Sequence, residues 1–389
     1  MRIDKAGPGL PALVRAVAVA VVLTTAGVWA PAGAQDSVRP PAVQGFSDQA
    51  ESGQVPGNTR GGSSDADLWR AIKSGGTGNV AAQDPNAAML VQYEGQLWRE
   101  IHNGPLPRYG AWGLLAVIVL LALLFAITGR VKIRGGRSGR TITRFTAFER
   151  AGHWLTASSF VLLALTGLNI LYGKSVLLPL IGKEAFAPLA MWGKYIHNYV
   201  AFAFIAGLVI IFVQWVVYNF PNRHDLVWIA KGGGILFKNV HVPAKKFNAG
   251  QKVIFWLTIL GGASLALSGW ALLYPFTTHF MTDTFELTAK LGMDVPAWLG
   301  LPAPPYSPIM EQQINQVWHS IMGLFLTAVI IAHIYIGTLG MEGAFEAMGT
   351  GEVDENWARE HHNLWVEGLE KKRGGEAVGH GAATEQPAE

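Results

Sequence analysis

The sequence predicts an all-α integral membrane protein: a four-helix transmembrane bundle with one extra N-terminal transmembrane helix. Composition and patterning carry that prediction. Half of the 389 residues are hydrophobic and only 15% are charged, against about 25% in a soluble globular chain. The apolar residues are gathered into runs long enough to cross a bilayer. The clearest run is 312–341, which holds no Asp, Glu, Lys or Arg between Glu311 and Glu342. There is no cysteine, which excludes disulfides, thiol catalysis, iron–sulfur ligation and covalent c-type haem attachment in this chain.

Residues 1–34 read as a signal peptide. Arg2, Lys5 and Arg15 precede an apolar run from Ala16 to Trp29, and Ala32-Gly33-Ala34 has a small-residue cleavage pattern. An uncleaved signal anchor is the alternative, and with either one residue 35 onward starts outside the cytoplasm. Residues 35–108 are rich in Gly, Pro, Ser, Asn and Gln and predict no packed core. Within them Leu68-Trp69-Arg70-Ala71-Ile72-Lys73-Ser74-Gly75 recurs 29 residues later as Leu97-Trp98-Arg99-Glu100-Ile101-His102-Asn103-Gly104. The shared L-W-R-x-I-x-x-G reads as two short helical pieces ending in a glycine cap. They are either paired docking anchors or local helices at the membrane surface.

Residues 109–129 form the extra span and run into a basic loop, 130–150. There Arg130, Lys132, Arg134, Arg137, Arg140, Arg144 and Arg150 face one acid, Glu149. Such a cluster marks the cytoplasmic side. Four spans follow, at 151–173, 195–220, 253–274 and 312–341, making a bundle domain of 151–341. The 221–252 loop is basic (Arg223, Lys231, Lys238, Lys245, Lys246, Lys252, against Asp225), so it is cytoplasmic too. The 275–311 loop has one base, Lys290, and faces outward. Parity puts the 342–389 tail in the cytoplasm.

Four histidines lie in these spans. His319 and His333 are 14 positions apart on the last one, a rise of about 21 Å that stops roughly 40° short of four turns. Both imidazoles therefore share a face, one toward each side of the membrane. Each is followed four residues later by glycine, Gly323 and Gly337, leaving a flat groove suited to a haem plane. Taken singly, each histidine could be an interhelical hydrogen-bonding group. With the topology in hand, His153 lies near the cytoplasmic side and His197 near the outer side. Depth then pairs His197 with His319 and His153 with His333: two bis-imidazole sites stacked across one bundle, as for two b-type haems. Arg150 and Lys194 are placed to meet haem propionates or to act as interfacial anchors. The remaining histidines, His102, His224, His241, His279, His361, His362 and His380, fall in loops or tails and read as surface residues.

Several segments resemble the cytochrome b (gamma) subunit of membrane-bound respiratory formate dehydrogenases. They are Phe148-Glu149-Arg150-Ala151-Gly152-His153-Trp154, Gly193-Lys194-Tyr195-Ile196-His197, Lys246-Phe247-Asn248-Ala249-Gly250-Gln251-Lys252, and the His319 and His333-Ile334-Tyr335 positions of the last span. Met348-Gly349-x-Gly351-x-Val353 and Trp357-Ala358-Arg359-x-His361-His362 continue the likeness, which covers about residues 145–370. The resemblance implies that His197 and His319 hold an outer haem b and His153 and His333 an inner one, the four histidines being axial ligands to haem iron. It further implies a quinone site at the cytoplasmic side built from Asn248, Gly250, Gln251 and His333. From chemistry alone, Asn-Ala-Gly-Gln before a helix reads as a turn and N-cap.

The expected partners are a catalytic molybdenum or tungsten subunit, an iron–sulfur subunit, membrane lipid and the quinone pool, with no nucleic acid. The chain itself would hold no formate-oxidising site and would serve as the electron-transfer and quinone-reducing subunit. Its expected location is the bacterial inner membrane, multi-pass, with the N-terminal segment periplasmic. Two alternatives remain open: the cytochrome b of a nickel–iron hydrogenase or other molybdenum oxidoreductase, and a haem-free membrane anchor or transporter.

Overall fold

The computed structural model of the chain describes residues 93–234 and 242–382. The signal peptide, the first L-W-R motif and most of the 35–108 segment lie outside the described residues. The second L-W-R motif is in helix α1 (Tyr93–Asn103), where Trp98 stacks on His102 at 5.0 Å between ring centres.

From Pro105 onward the chain is a helical membrane bundle. Four helices among the described residues are long and apolar enough to cross a membrane: α2 (Pro105–Thr128), α3 (Ala147–Trp215), α5 (Ala249–Leu273) and α8 (Pro308–Tyr335). The 69 residues of α3 would be about 100 Å long if straight, three times a bilayer core. It is not straight. Gly182 has φ 76° and ψ 169°, a conformation open to glycine, and Pro179 and Pro188 flank the break. The two arms fold back on each other: Gly173 lies against Phe186, Gly193 against Asn169, Gly207 against Thr156 and Gly152 against Gln214. The expected spans 151–173 and 195–220 fall on these arms, the second of which ends at Trp215, and the stretch between the spans is helical on both sides of Gly182.

Helix starts follow from local chemistry. Thr146 and Glu149 form a capping box on α3, and Asn222 and Asp225 form one on α4 (Arg223–Ala230). Ser307, followed by Pro308, caps α8. Small residues bring the helices close, as is usual in membranes. A Cβ at Gly207 would come 2.6 Å from the Thr156 hydroxyl, and one at Gly261 would touch Leu326 at 3.0 Å. Leu326, Phe160, Phe204, Leu208 and Ile259 fill the middle of the bundle. The extra helix α2 packs along α8 and α3 through Gly110, beside Leu324, and a Tyr172 hydroxyl that donates to the Pro107 carbonyl at 2.9 Å.

Away from the basic loops, α6 (Phe280–Lys290) and α7 (Val295–Trp298) close the bundle. Glu311, 1% exposed, accepts from the backbone N–H groups of Met281 and Thr282 at the start of α6 and from the Thr282 hydroxyl. Its carboxylate meets orphan donors and the positive end of that helix.

At the basic end a compact cap departs from a purely helical prediction. Thr141–Thr143 (β1) pairs antiparallel with Glu352–Asp354 (β2), Ile142 opposite Val353. The tail continues through α9 (Glu346–Gly349, preceding β2), α10 (Glu355–His361) and α11 (Asn363–Ala382). Arg144, 4% exposed, lies between Phe145, Trp357 and Trp365 and donates to the Lys246 carbonyl at 2.8 Å. His362 corrects the surface reading: it is 1% exposed, and its Nδ1–H donates to the Lys245 carbonyl at 2.7 Å. Burial, reinforced by the Arg144 charge, holds this imidazole well below its ordinary pKa, so it is neutral.

Asp354 closes the cap by accepting from the N–H and hydroxyl of Ser138 and the N–H groups of Gly139, Asn356 and Trp357. Burial alone would raise its pKa, but these bonds outweigh burial and hold it below 3.8. A depressed carboxylate contributes stability that is full above its unfolded value and is lost as pH falls through the folded one. Proteolytic release of the tail is therefore expected to stay slow at pH 5 and to accelerate below about pH 4. Asp354→Ala should give fast release at pH 7; a tail equally resistant in that variant would remove the carboxylate from this role.

Candidate functional site

The four membrane histidines come together as two pairs. His153 lies near the start of α3 and His333 near the end of α8, with ring centres 6.4 Å apart at 57°. His197, on the second arm of α3, faces His319 of α8 at 6.2 Å and 74°. The 14 positions between His319 and His333 set the pairs about 21 Å apart along α8.

These distances bear on what the pairs can hold. A metal–imidazole bond of about 2 Å on each side, plus about 1 Å from each nitrogen to its ring centre, sets two trans imidazoles roughly 6 Å apart. Edge-to-face ring contact falls in the same range of about 4.5–7 Å, so the distance permits a bridging metal and the donor set decides what it could be. Among the described residues there is no cluster of three or more His, Cys, Asp or Glu able to hold a metal ion. Each pair is thus a two-ligand site, which suits the axial positions of a macrocycle that brings its own four equatorial donors. A Cβ built at Gly323 in α8, or at Gly337 in the π-helical turn that continues it (Ile336–Gly340), would meet nothing within 4 Å, so the helix is flat beside both imidazoles. The residues present fit haem.

The pair at the far end has further structure. His197 Nδ1 is 3.0 Å from the Thr166 hydroxyl, and His319 Nδ1 is 2.9 Å from the Ser268 hydroxyl. Each hydroxyl donates its one proton back along its own helix, Thr166 to the Leu162 carbonyl at 2.7 Å and Ser268 to the Ser264 carbonyl at 2.8 Å. Toward the imidazole each can then only accept. This arrangement favours the tautomer with the proton on Nδ1 and a lone pair on Nε2. The next residue in both helices is glycine: a Cβ at Gly167 would come 3.3 Å from His197 Cε1, and one at Gly269 would come 3.2 Å from His319 Cε1. The sequence reading missed these four residues, though a signal exists. Leu163-Ala164-Leu165-Thr166-Gly167 and Leu265-Ala266-Leu267-Ser268-Gly269 are one pattern, L-A-L-[T/S]-G, occurring on two helices.

The basic-end pair differs. His153 Nδ1 is buried without a hydrogen-bond partner among the described residues. Its ring lies against Trp154 and Trp215, and Trp215 donates to Glu149 at 3.0 Å. Glu149 also binds Lys246 at 2.7 Å, tying the Phe148–Trp154 segment to the loop before α5. Arg150 donates to the Gly349 carbonyl at 2.7 Å, which makes it a latch on the tail. Lys194 sits one turn before His197, and its charge acts on both His197 and His319.

Asn248, Gly250 and Gln251 stand at the start of α5. The Asn248 side chain accepts from Gln251 N–H at 2.9 Å and the Gln251 side chain from Asn248 N–H at 3.1 Å. Their amide oxygens are committed to a capping box, while the amide NH2 groups remain as donors. A Cβ at Gly250 would strike the Trp228 ring at 2.8 Å, so this glycine seats that indole.

Comparison with known proteins agrees with this architecture. The family model described as prokaryotic cytochrome b561 matches residues 144–351, the segment that holds all four histidines. The chain is 28% identical over 233 residues to the cytochrome b556(fdo) subunit of formate dehydrogenase from Escherichia coli K12, covering 59% of this chain and 94% of that protein. It is 25% identical over 234 residues to the nitrate-inducible cytochrome b556(Fdn) subunit of the same strain, covering 60% and 93%. A formate dehydrogenase cytochrome b556 subunit of Haemophilus influenzae is 22% identical over 227 residues, covering 58% and 82%. With more than half of its length matched, and its histidines paired across a membrane bundle, the chain belongs to the prokaryotic cytochrome b561 family.

Proposed function

We propose that the chain is the membrane cytochrome b subunit of a formate dehydrogenase complex, carrying electrons from a periplasmic iron–sulfur subunit to quinone near the cytoplasmic side. The observation that carries this reading is the pair of bis-histidine sites at two depths of one bundle, on a chain whose relatives are formate dehydrogenase cytochrome b556 subunits. His197 and His319 would hold the outer haem b and His153 and His333 the inner one. Two haems so held would supply one-electron relays across the apolar core. The remaining work belongs to the protein. The helices would hold the imidazoles in facing pairs, and the apolar bundle would keep water from the path.

The basic loops at the His153–His333 end support placing that end in the cytoplasm of a bacterial inner membrane. Quinone would take two electrons and two protons there to become quinol, beside His333 and the Asn248–Gln251 helix start, whose free amide NH2 groups can donate to a quinone carbonyl. With protons drawn from the cytoplasm and electrons arriving from outside, the step separates charge. Formate oxidation is assigned in this reading to a molybdenum or tungsten partner subunit.

The test is haem content of the purified complex, by pyridine haemochrome assay, followed by donor addition. The reading expects two non-covalent b haems per chain, both reduced on adding formate. No haem in a folded preparation would overturn the cytochrome reading and return the histidines to an anchor or transporter. Two haems reduced by hydrogen but not by formate would keep the cytochrome and assign it to a hydrogenase.

A further inference from the structure

We infer that the two L-A-L-[T/S]-G segments are paired seats for the His197–His319 site, in which the Thr166 and Ser268 hydroxyls are positioning residues that fix the ligand tautomer and lower the reduction potential of that centre relative to the other. The inference rests on the haem reading above and deepens it.

Both seats have the same construction. A hydroxyl in the middle of an apolar helix bonds the carbonyl four residues back and, alongside the carbonyl three residues back (Leu163 or Leu265), offers its remaining lone pairs to the Nδ1–H of a histidine packed against it. The residue after it is a glycine over which the imidazole edge passes, so closely that a methyl group there would make the ring give way by a few tenths of an ångström. Thr166 is on the first arm of α3 and receives His197 from the second. Ser268 is on α5, fully buried, and receives His319 from α8. Two seats of one pattern thus converge on one pair from two different helices, while His153 Nδ1 has no such acceptor among the described residues.

The chemical consequence has a sign. An acceptor on the outer nitrogen of a ligating imidazole raises the basicity of the ring and orients it. A hydroxyl already donating to a carbonyl is a stronger acceptor, because hydrogen bonds in series polarise one another. A more basic axial pair favours the higher oxidation state of its iron. The two seats therefore pull the His197–His319 centre toward lower potential, a pull that His153, without such an acceptor among the described residues, lacks. The pull acts against the Lys194 charge and favours electron passage in the direction the proposed function needs.

The test is a spectroelectrochemical titration of the intact complex carrying Thr166→Val, which keeps side-chain shape and removes the hydroxyl, or Ser268→Ala. The centre affected is identified as the one missing from His319→Ala. In either hydroxyl variant the reduced-to-oxidised ratio of that centre at fixed ambient potential should rise about five- to tenfold, tenfold being about 59 mV for a one-electron couple, while the other centre stays put. Thr166→Ser and Ser268→Thr should restore the native value. Two haems retained with neither midpoint moved would overturn the inference, as would equal shifts at both centres. Haem lost from Thr166→Val but retained in Thr166→Ser supports the hydroxyl role. Haem lost from both would assign the site to packing and overturn it. Native complex lacking haem would instead sink the cytochrome reading itself.

Discussion

His319→Ala is expected to halve the haem content, from two b haems per chain to one, and to lower formate-driven quinone reduction by more than about 100-fold. The loss should be confined to one centre because the pairs lie about 21 Å apart along α8 and His319 meets only His197 of the other membrane histidines. His197→Ala should give the same spectrum. The double variant should be no worse than either single one, since residues acting as one unit are strongly non-additive. His279→Ala, outside both pairs, should leave the haem spectrum unchanged. Haemochrome assay and a dithionite-reduced difference spectrum measure all four variants. Two haems surviving in His319→Ala would remove this residue from ligation.

Arg144→Ala is expected to destabilise the cap at the basic end by about 3 kcal/mol, read as a lowered melting temperature in detergent and faster proteolysis of the tail. The guanidinium fills the space between Phe145, Trp357 and Trp365, and it satisfies the Lys246 carbonyl. Truncation leaves both a cavity and an unpaired buried acceptor. Arg144→Lys keeps the charge but loses the planar stacking surface, so it should recover less than half of the lost stability. Full recovery by lysine would show that charge, not shape, holds the cap.

How much of this was readable from the residues depends on where their partners lie in sequence. The membrane spans and the grouping of histidines by depth rest on charge distribution and helical rise, which are properties of contiguous stretches. His319 and His333 announce themselves because an ionisable group is rare in an apolar run. Thr166 and Ser268 do not, since isolated hydroxyls in membrane helices usually bond their own backbone or a neighbouring helix. Only their repetition before glycine on two helices marks them. His362 follows His361 in a charged tail segment and looks solvent-facing. Its burial comes from the Lys245 carbonyl and Arg144, more than a hundred residues earlier, and no local pattern reveals that. The Thr141–Thr143 strand is too short for alternation to register, and its partner is equally remote. At Asn248–Gln251 the local reading, an N-cap, describes the hydrogen bonds present, while a role toward quinone rests on the family likeness.

The fold-back of α3 at Gly182 has a consequence for how the molecule is made. One uninterrupted stretch, Ala147–Trp215, supplies a histidine to each pair, and both complementary histidines come from Pro308–Tyr335, the last span to leave the ribosome. A nascent chain inserted as far as Leu273 already holds half of each site and cannot complete either. Both pairs therefore need the final helix packed beside the hairpin. On the proposed haem reading, loading would wait for this last helix, and a chain cut short before Pro308 would lose both histidine pairs at once.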